Sequence, residues 1–262
     1  MKSLKEALLN RPKNIDVANV AIGVIEEYIN ANYEVFGKLT FENVNGVCVV
    51  NCDGDVIVIN EKIEKLTEGF VWGEVKGIFS CSSCRNIKTL EGSPRYVGLN
   101  FSCAFCNKIK SLEGSPKNVD GNFDCSYCKN LKTLEGAPEK VGRNFQCNSC
   151  DRLKSLVGAT KIVDFSFNCS YCPKLESLEG APEYVGRNFS CSSCDNLKTL
   201  KGATKEVNGW FICSYCKNLE SLEGAPEKVG ENFVCTHCDN LESLNGAPKN
   251  ANKIACDKRL KG

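Results

Sequence analysis

The chain has 262 residues, of which 42% are hydrophobic and 25% charged, and its formal net charge is +1, the composition of a globular protein. Met1 to Asn10 carries Lys2 and Lys5 but no apolar run of signal-peptide length, and no later stretch approaches a membrane span. A cytoplasmic protein with reduced thiols and no membrane association is therefore expected.

In chain order, residues 1–43 read as a helical segment. Two helices are expected, over residues 3–10 and about 15–32, separated by Arg11-Pro12. In the second, Ile15, Ala18, Ile22, Ile25 and Ile29 line one face, and the partner expected for that face is the open end of the repeat array that follows. Residues 44–76 read as a capping hairpin and an atypical first coil. Cys52-Asp53-Gly54-Asp55 is the expected hairpin turn, between Val47–Val50 and Val56–Val58. Ile57-x-x-Asn60-x-x-Ile63-x-x-Leu66 then matches the later repeat pattern, with Asn60 in the place of the second repeat cysteine.

Residues 77–256 hold eight repeats of 22 residues, and residues 257–262 read as a polar tail. A C-x-x-C pair begins at Cys81, Cys103, Cys125, Cys147, Cys169, Cys191, Cys213 and Cys235, each with a Phe two residues before it. Two apolar positions three apart follow each pair, as Leu131 and Leu134 do, then a Gly, most often a Pro, and a Val such as Val141. One apolar set per 22 residues marks a solenoid, because no single repeat can bury its own face. Phe-x-Cys has the period of a strand, so eight stacked coils should form a parallel sheet with both side chains inward. The position after the Val column holds only Gly, Asp and Asn (Gly98, Asp120, Gly142, Asp164) and is expected to be a corner with positive φ. Prolines such as Pro94 and Pro138 fix an extended return arm with no helix.

The run Phe123-x-Cys125-x-x-Cys128-x-x-Leu131 resembles the leucine-rich-repeat core, with Cys125 where that family has Leu and Cys128 at its Asn/Cys turn position. The short Pro-containing arm is similar to the compact bacterial type. Cys-bearing repeats behind a helical leader also look like those of large-bacteriophage proteins. The resemblance covers residues 55 to 256. It implies a right-handed, mainly β, leucine-rich-repeat-like solenoid with an N-terminal helical and hairpin cap. For function it implies binding to another protein, in one version as an inhibitor that occludes a host defence nuclease complex (an anti-CRISPR role).

The residues are weighed against four chemistries. Nineteen cysteines in C-x-x-C spacing would suit zinc or iron–sulfur clusters, but inward positions flanked by Phe and Leu suit a ladder of neutral thiols better, so no cofactor and no metal is expected. Catalysis is not expected. The only histidine, His237, occupies a column otherwise held by Phe105, Tyr127, Tyr171, Tyr215 and serines, and no phosphate-binding loop occurs. Nucleic-acid binding is the weaker reading: residues 77–156 are mildly basic, but no column reads as uniformly basic. The outward face of the sheet is small and polar until Ile212 and Val234, and Trp210 interrupts a column made mainly of Asn. Exposed aromatics on a rigid platform suit protein recognition. The candidate partner-binding residues are therefore Phe105, Tyr127, Tyr171, Trp210, Ile212, Tyr215, Val234 and His237, on a scaffold expected to be a monomer, with an assembly protein as the alternative.

Overall fold

The structure, a computed structural model, describes residues 17–260, with side chains described from Ile22 onward. The helix expected over residues 3–10 lies outside the described residues. The second is present as α1 (Val17–Asn32), and it buries Ile25 and Ile29 as its periodicity requires. Its last residue, Asn32, is a buried pin between helix and solenoid. The Asn32 side-chain amide donates to Tyr28 O (2.8 Å), its Oδ1 accepts from Asn60 Nδ2 (2.7 Å), and its carbonyl accepts from Ile59 N (2.9 Å). A buried amide engaged on every side ties the cap to one geometry. Tyr28, Tyr33, Phe70 and Trp72 then pack ring against ring at centroid distances of 5.4–6.5 Å, and Trp72 meets Phe79 at 6.1 Å. This cluster closes the N-terminal end of the core.

The cap contains β1 (Tyr33–Phe36), β2 (Leu39–Val44), β3 (Val47–Cys52) and β4 (Asp55–Val58). The hairpin turn is not where the sequence reading put it. β2 and β3 pair antiparallel around Asn45-Gly46, whose φ values of 52° and 82° are those a two-residue turn demands and Asn-Gly supplies. Cys52–Asp55 is instead a corner: β3 runs into one sheet, beside β5 (Val71–Val75), and β4 into the other, beside Phe79–Ser80. The backbones pass so closely there that a Cβ on Gly54 would overlap the Phe36 carbonyl. The register also corrects the first coil. Val56 pairs with Phe79 and Ile57 with Ser80, so Val58 stands in the first cysteine's place and Ile57 faces outward. Ile63 and Leu66 are buried as expected.

From Phe79 onward every coil repeats one path and the whole is a parallel β-solenoid of about nine coils. Phe79–Ser80 and its equivalents stack into an 11-stranded sheet, in register from Phe79 beside Phe101 to Phe211 beside Phe233. The return arm, expected only to be extended, is itself a strand. Tyr96–Val97 and its equivalents build a second sheet of 10 strands, ending at Lys228–Val229. The two sheets enclose one continuous core of Phe, Cys, Leu and Val, with the repeat residues 0–1% exposed from Phe79 to Leu241. Eight Phe rings stack along its length at 5.0–5.8 Å, set by the roughly 4.8 Å spacing of paired strands. Burying each such ring contributes about 1.5–3 kcal/mol.

All nineteen cysteines are free thiols. The second thiol of a coil donates across the stack to the carbonyl of the previous coil's first cysteine, as from Cys106 to Cys81 O (3.1 Å) and from Cys238 to Cys213 O (3.2 Å). Removal from water pushes the Cys125, Cys169 and Cys213 thiols well above their ordinary range, and neighbouring thiols push in the same direction. They are held as neutral, hydrogen-bonding hydrophobes.

Two further expectations are corrected. The Gly98 column does not take positive φ. It is restricted because a Cβ on Gly98 would lie 2.3 Å from Lys76 O and one on Gly142 2.3 Å from Asp120 O. Positive φ falls in two other columns, the Gly92 to Gly246 series (84° to 91°) and the third residue of each C-x-x-C. Residues 257–260, expected within a polar tail, form a cap after the last strand, Lys253–Cys256. Arg259 donates from Nη1 to Leu241 O (2.6 Å) and from Nη2 to Cys238 O (2.5 Å), which also accepts from Leu241 N (3.0 Å), and so closes over the turn of the last full coil.

Candidate functional site

The third residue of each C-x-x-C lies in the turn that leaves the 11-stranded sheet. The tight bend puts it in the left-handed region: φ is 61° at Phe105, 58° at Tyr127, 59° at Tyr171, 60° at Tyr215 and 57° at His237. A left-handed conformation costs a residue with a Cβ roughly 1–2 kcal/mol, and Asn or Gly would relieve it. Large rings nevertheless occupy five of the eight positions, with serines at Ser83, Ser149 and Ser193. The shared backbone conformation points all five the same way, off one edge of the solenoid.

Two pairs of rings close on each other. Phe105 and Tyr127 stack at 4.6 Å with planes 5° apart, and Tyr215 and His237 at 4.4 Å and 4°. Tyr171 stands between serines with no ring beside it and is the most exposed of the Phe and Tyr rings, at 62%, against 43% for Tyr127. The residues before Tyr127, Tyr171 and Tyr215 are the buried Ser126, Ser170 and Ser214. Their hydroxyls are bound within the sheet, Ser170 Oγ to Ser190 Oγ at 2.7 Å and Ser214 Oγ to Thr236 Oγ1 at 3.0 Å. The platform under the rings is therefore fixed.

Five of the eight residues singled out from sequence thus form one line. Trp210, Ile212 and Val234 form a second group on the outer face of the same sheet. Ile212 pairs directly with Val234, and Trp210 precedes the inward Phe211. Trp210 sits at the end of a ladder in which each Asn side chain accepts from the backbone N–H one coil on, from Asn100 to Asn122 N (2.9 Å) through to Asn188 to Trp210 N (2.9 Å). It is 40% exposed, and its indole N–H donates to Glu231.

The sequence reading missed a second set of exposed apolar side chains: Val157, Ile162, Phe165 and Tyr184. Ile162 and Tyr184 are neighbours in the second sheet, and the Arg187 guanidinium lies 5.8 Å over the Phe165 ring. Val157 was detectable, since it stands where Glu91, Glu113 and Glu135 stand in the earlier coils.

Among the described residues no three His, Cys, Asp or Glu side chains are arranged to hold a metal ion, and no helix is long and apolar enough to cross a membrane. Compared with known proteins, the chain has no matching family profile, no matching curated relative and no matching solved structure.

Proposed function

We propose that this protein is a non-catalytic scaffold that binds another protein along its aromatic edge. The supporting observation is the left-handed aromatic column. Rings are exposed by 43–62% at Phe105, Tyr127, Tyr171 and Tyr215, on a left-handed backbone that only Gly or Asn would relieve. Core packing does not need them, because Ser83, Ser149 and Ser193 serve the same turn. Rigid aromatics with few rotatable bonds give contact area at low entropic cost.

The likeness to leucine-rich repeats and to large-bacteriophage proteins supplies one version, an inhibitor in the host cytoplasm that occludes a defence protein. The other version is an assembly protein, favoured by the distribution of charge along the same edge. The test is a pull-down from host lysate under reducing conditions with the parent chain and a Tyr127→Ser, Tyr171→Ser, Tyr215→Ser variant. One protein captured by the parent and lost by the folded variant supports the reading. Equal capture by both removes the edge from it.

A further inference from the structure

Taken coil by coil, the edge carries a charge gradient. In the four residues after each second cysteine, the Cys81 to Cys147 coils hold eight basic residues and one acidic, and the Cys169 to Cys235 coils three and five. One column is lysine in four successive coils, Lys88, Lys110, Lys132 and Lys154, and is mixed after them at Glu176, Lys198, Glu220 and Glu242. Among the described residues, Lys88, Lys110 and Lys132 have no carboxylate within 4 Å. Ion pairs between neighbouring coils run, among the described residues, from Lys140 to Lys228, as in Lys198–Glu220 (3.6 Å) and Lys201–Glu223 (3.1 Å). Like charges stacked about 4.8 Å apart repel one another, so the N-terminal half of the edge lacks a counter-charge that the C-terminal half carries.

The rings on the same edge leave gaps of a definite size. Tyr127 and Tyr171 flank Ser149, and Tyr171 and Tyr215 flank Ser193. With rings in adjacent coils 4.4–4.6 Å apart, rings two coils apart leave about 9 Å between centroids, room for one further ring stacked on both sides.

We propose that the edge pairs with the same edge of a second copy, antiparallel and two-fold symmetric. This rests on the protein-binding reading above and names the partner. With the two-fold axis between the Cys147 and Cys169 coils, Tyr171 of each copy enters the other's Ser149 gap and Tyr127 enters the Ser193 gap. The basic Cys81 coil, with Arg85 and Lys88, then lies opposite the acidic Cys235 coil, with Asp239 and Glu242, Phe105 meets Tyr215 ring to ring, and no basic coil lies opposite another. A self-complementary patch is what an isologous dimer requires. A parallel pairing would set lysine against lysine. A single-stranded nucleic acid would satisfy the basic half but would run onto Asp195, Glu220 and Asp239 in the other. An edge about 35 Å long and about 15 Å wide buries on the order of 1,000 Å² in total, the low end for a specific interface, and its charge complementarity makes the dimer salt-sensitive.

The experiment is sedimentation equilibrium of the full chain in reducing buffer. The parent is expected to dimerise at about 10 μM in about 50 mM NaCl and to dissociate at least about tenfold more readily in about 500 mM. Ser149→Tyr with Ser193→Tyr, which fills both gaps at φ values that already hold Tyr in other coils, should be folded and monomeric. Arg85→Glu with Lys88→Glu should be monomeric alone and should form a heterodimer when mixed with Asp239→Lys with Glu242→Lys. A monomeric parent, a dimer indifferent to the gap-filling variant, or charge variants that fail to rescue each other would overturn the proposal. If the parent is monomeric yet its protein capture from lysate is lost in the gap-filling variant, the second copy is wrong and the protein-binding reading stands. If a single-stranded oligonucleotide alone binds the edge, both are wrong.

Discussion

Raising the pH tests the thiol core directly. Nine thiols, from Cys81, Cys103 and Cys125 to Cys194 and Cys213, are pushed well above their ordinary range, Cys81, Cys103 and Cys150 by a thiol hydrogen bond and burial and the other six by burial and neighbouring charge, and Cys84, Cys216 and Cys235 are pushed up to about 12. In the unfolded chain a thiol ionises near pH 8.5. Above that pH the unfolded chain holds fewer protons than the folded one, so unfolding becomes easier as pH rises. The stabilisation is complete below about pH 8.5 and is lost above it, at about 1 kcal/mol for each thiol per pH unit, or on the order of 10 kcal/mol per unit for nine. A typical domain has about 5–15 kcal/mol to lose, so the solenoid should unfold cooperatively near pH 10. The assay is a far-ultraviolet circular dichroism titration in a non-thiol reductant, run beside thiolate absorbance, and the two transitions should coincide. Replacing Cys103, Cys125, Cys147 and Cys169, four of these twelve thiols, with Val, the residue Val58 already places at that position, should cut the slope by about a third and move the midpoint upward. Gradual thiolate absorbance on a still-folded chain would refute the reasoning, as would an unchanged midpoint in the four-Val variant.

The Phe column predicts that position along the stack decides cost. Phe145 has neighbours at 5.0 and 5.2 Å, whereas Phe233 has one at 5.5 Å. Phe145→Ala should therefore cost about 1 kcal/mol more than Phe233→Ala, on a base of about 3–5 kcal/mol each, in urea unfolding under reducing conditions. Equal costs would show that the stacks add nothing to burial. Arg259→Ala removes two charge-assisted bonds, one to Leu241 O and one to Cys238 O, which keeps its bond from Leu241 N, and should cost about 1–3 kcal/mol. Amide exchange should accelerate in the Cys235 coil and leave the Cys103 coil protected, because a solenoid couples only neighbours; loss of protection throughout would contradict that.

The repeat was legible because it is written in large side chains. Phe123, Cys125, Leu131 and Leu134 recur at a fixed period and all point inward, so the stacked core could be read without coordinates. The second sheet was less visible, since its strands are two residues long and Tyr96–Val97 offers one inward side chain, too short a run to show alternation. The cap was misread for a specific reason. Asn45-Gly46, the strongest hairpin signal in the chain, lay inside Leu39–Cys52, while Asp53-Gly54 looked equally turn-like. What separates them is the neighbour each strand finds, and that is decided by packing against Val71–Val75 and Phe79–Ser80, which sequence spacing does not reveal.

At the edge, sequence and structure contribute different halves of one argument. The sequence displays the column of Phe105, Tyr127, Tyr171, Tyr215 and His237 but assigns no cost to it. The φ values show that the turn itself demands the left-handed conformation, at Ser83, Ser149 and Ser193 as at the rings, so what needs an explanation beyond the turn is the large exposed ring and not the φ. Stacking explains Phe105 with Tyr127 and Tyr215 with His237, because each ring covers the other. It cannot explain Tyr171, which has only Ser149 and Ser193 beside it and loses nothing to its neighbours when truncated. Tyr171→Ser should therefore leave stability within about 0.5 kcal/mol of the parent, or raise it, while weakening association at the edge. A Tyr171→Ser chain that unfolds more easily, yet associates as the parent does, would make that ring a structural part of the turn.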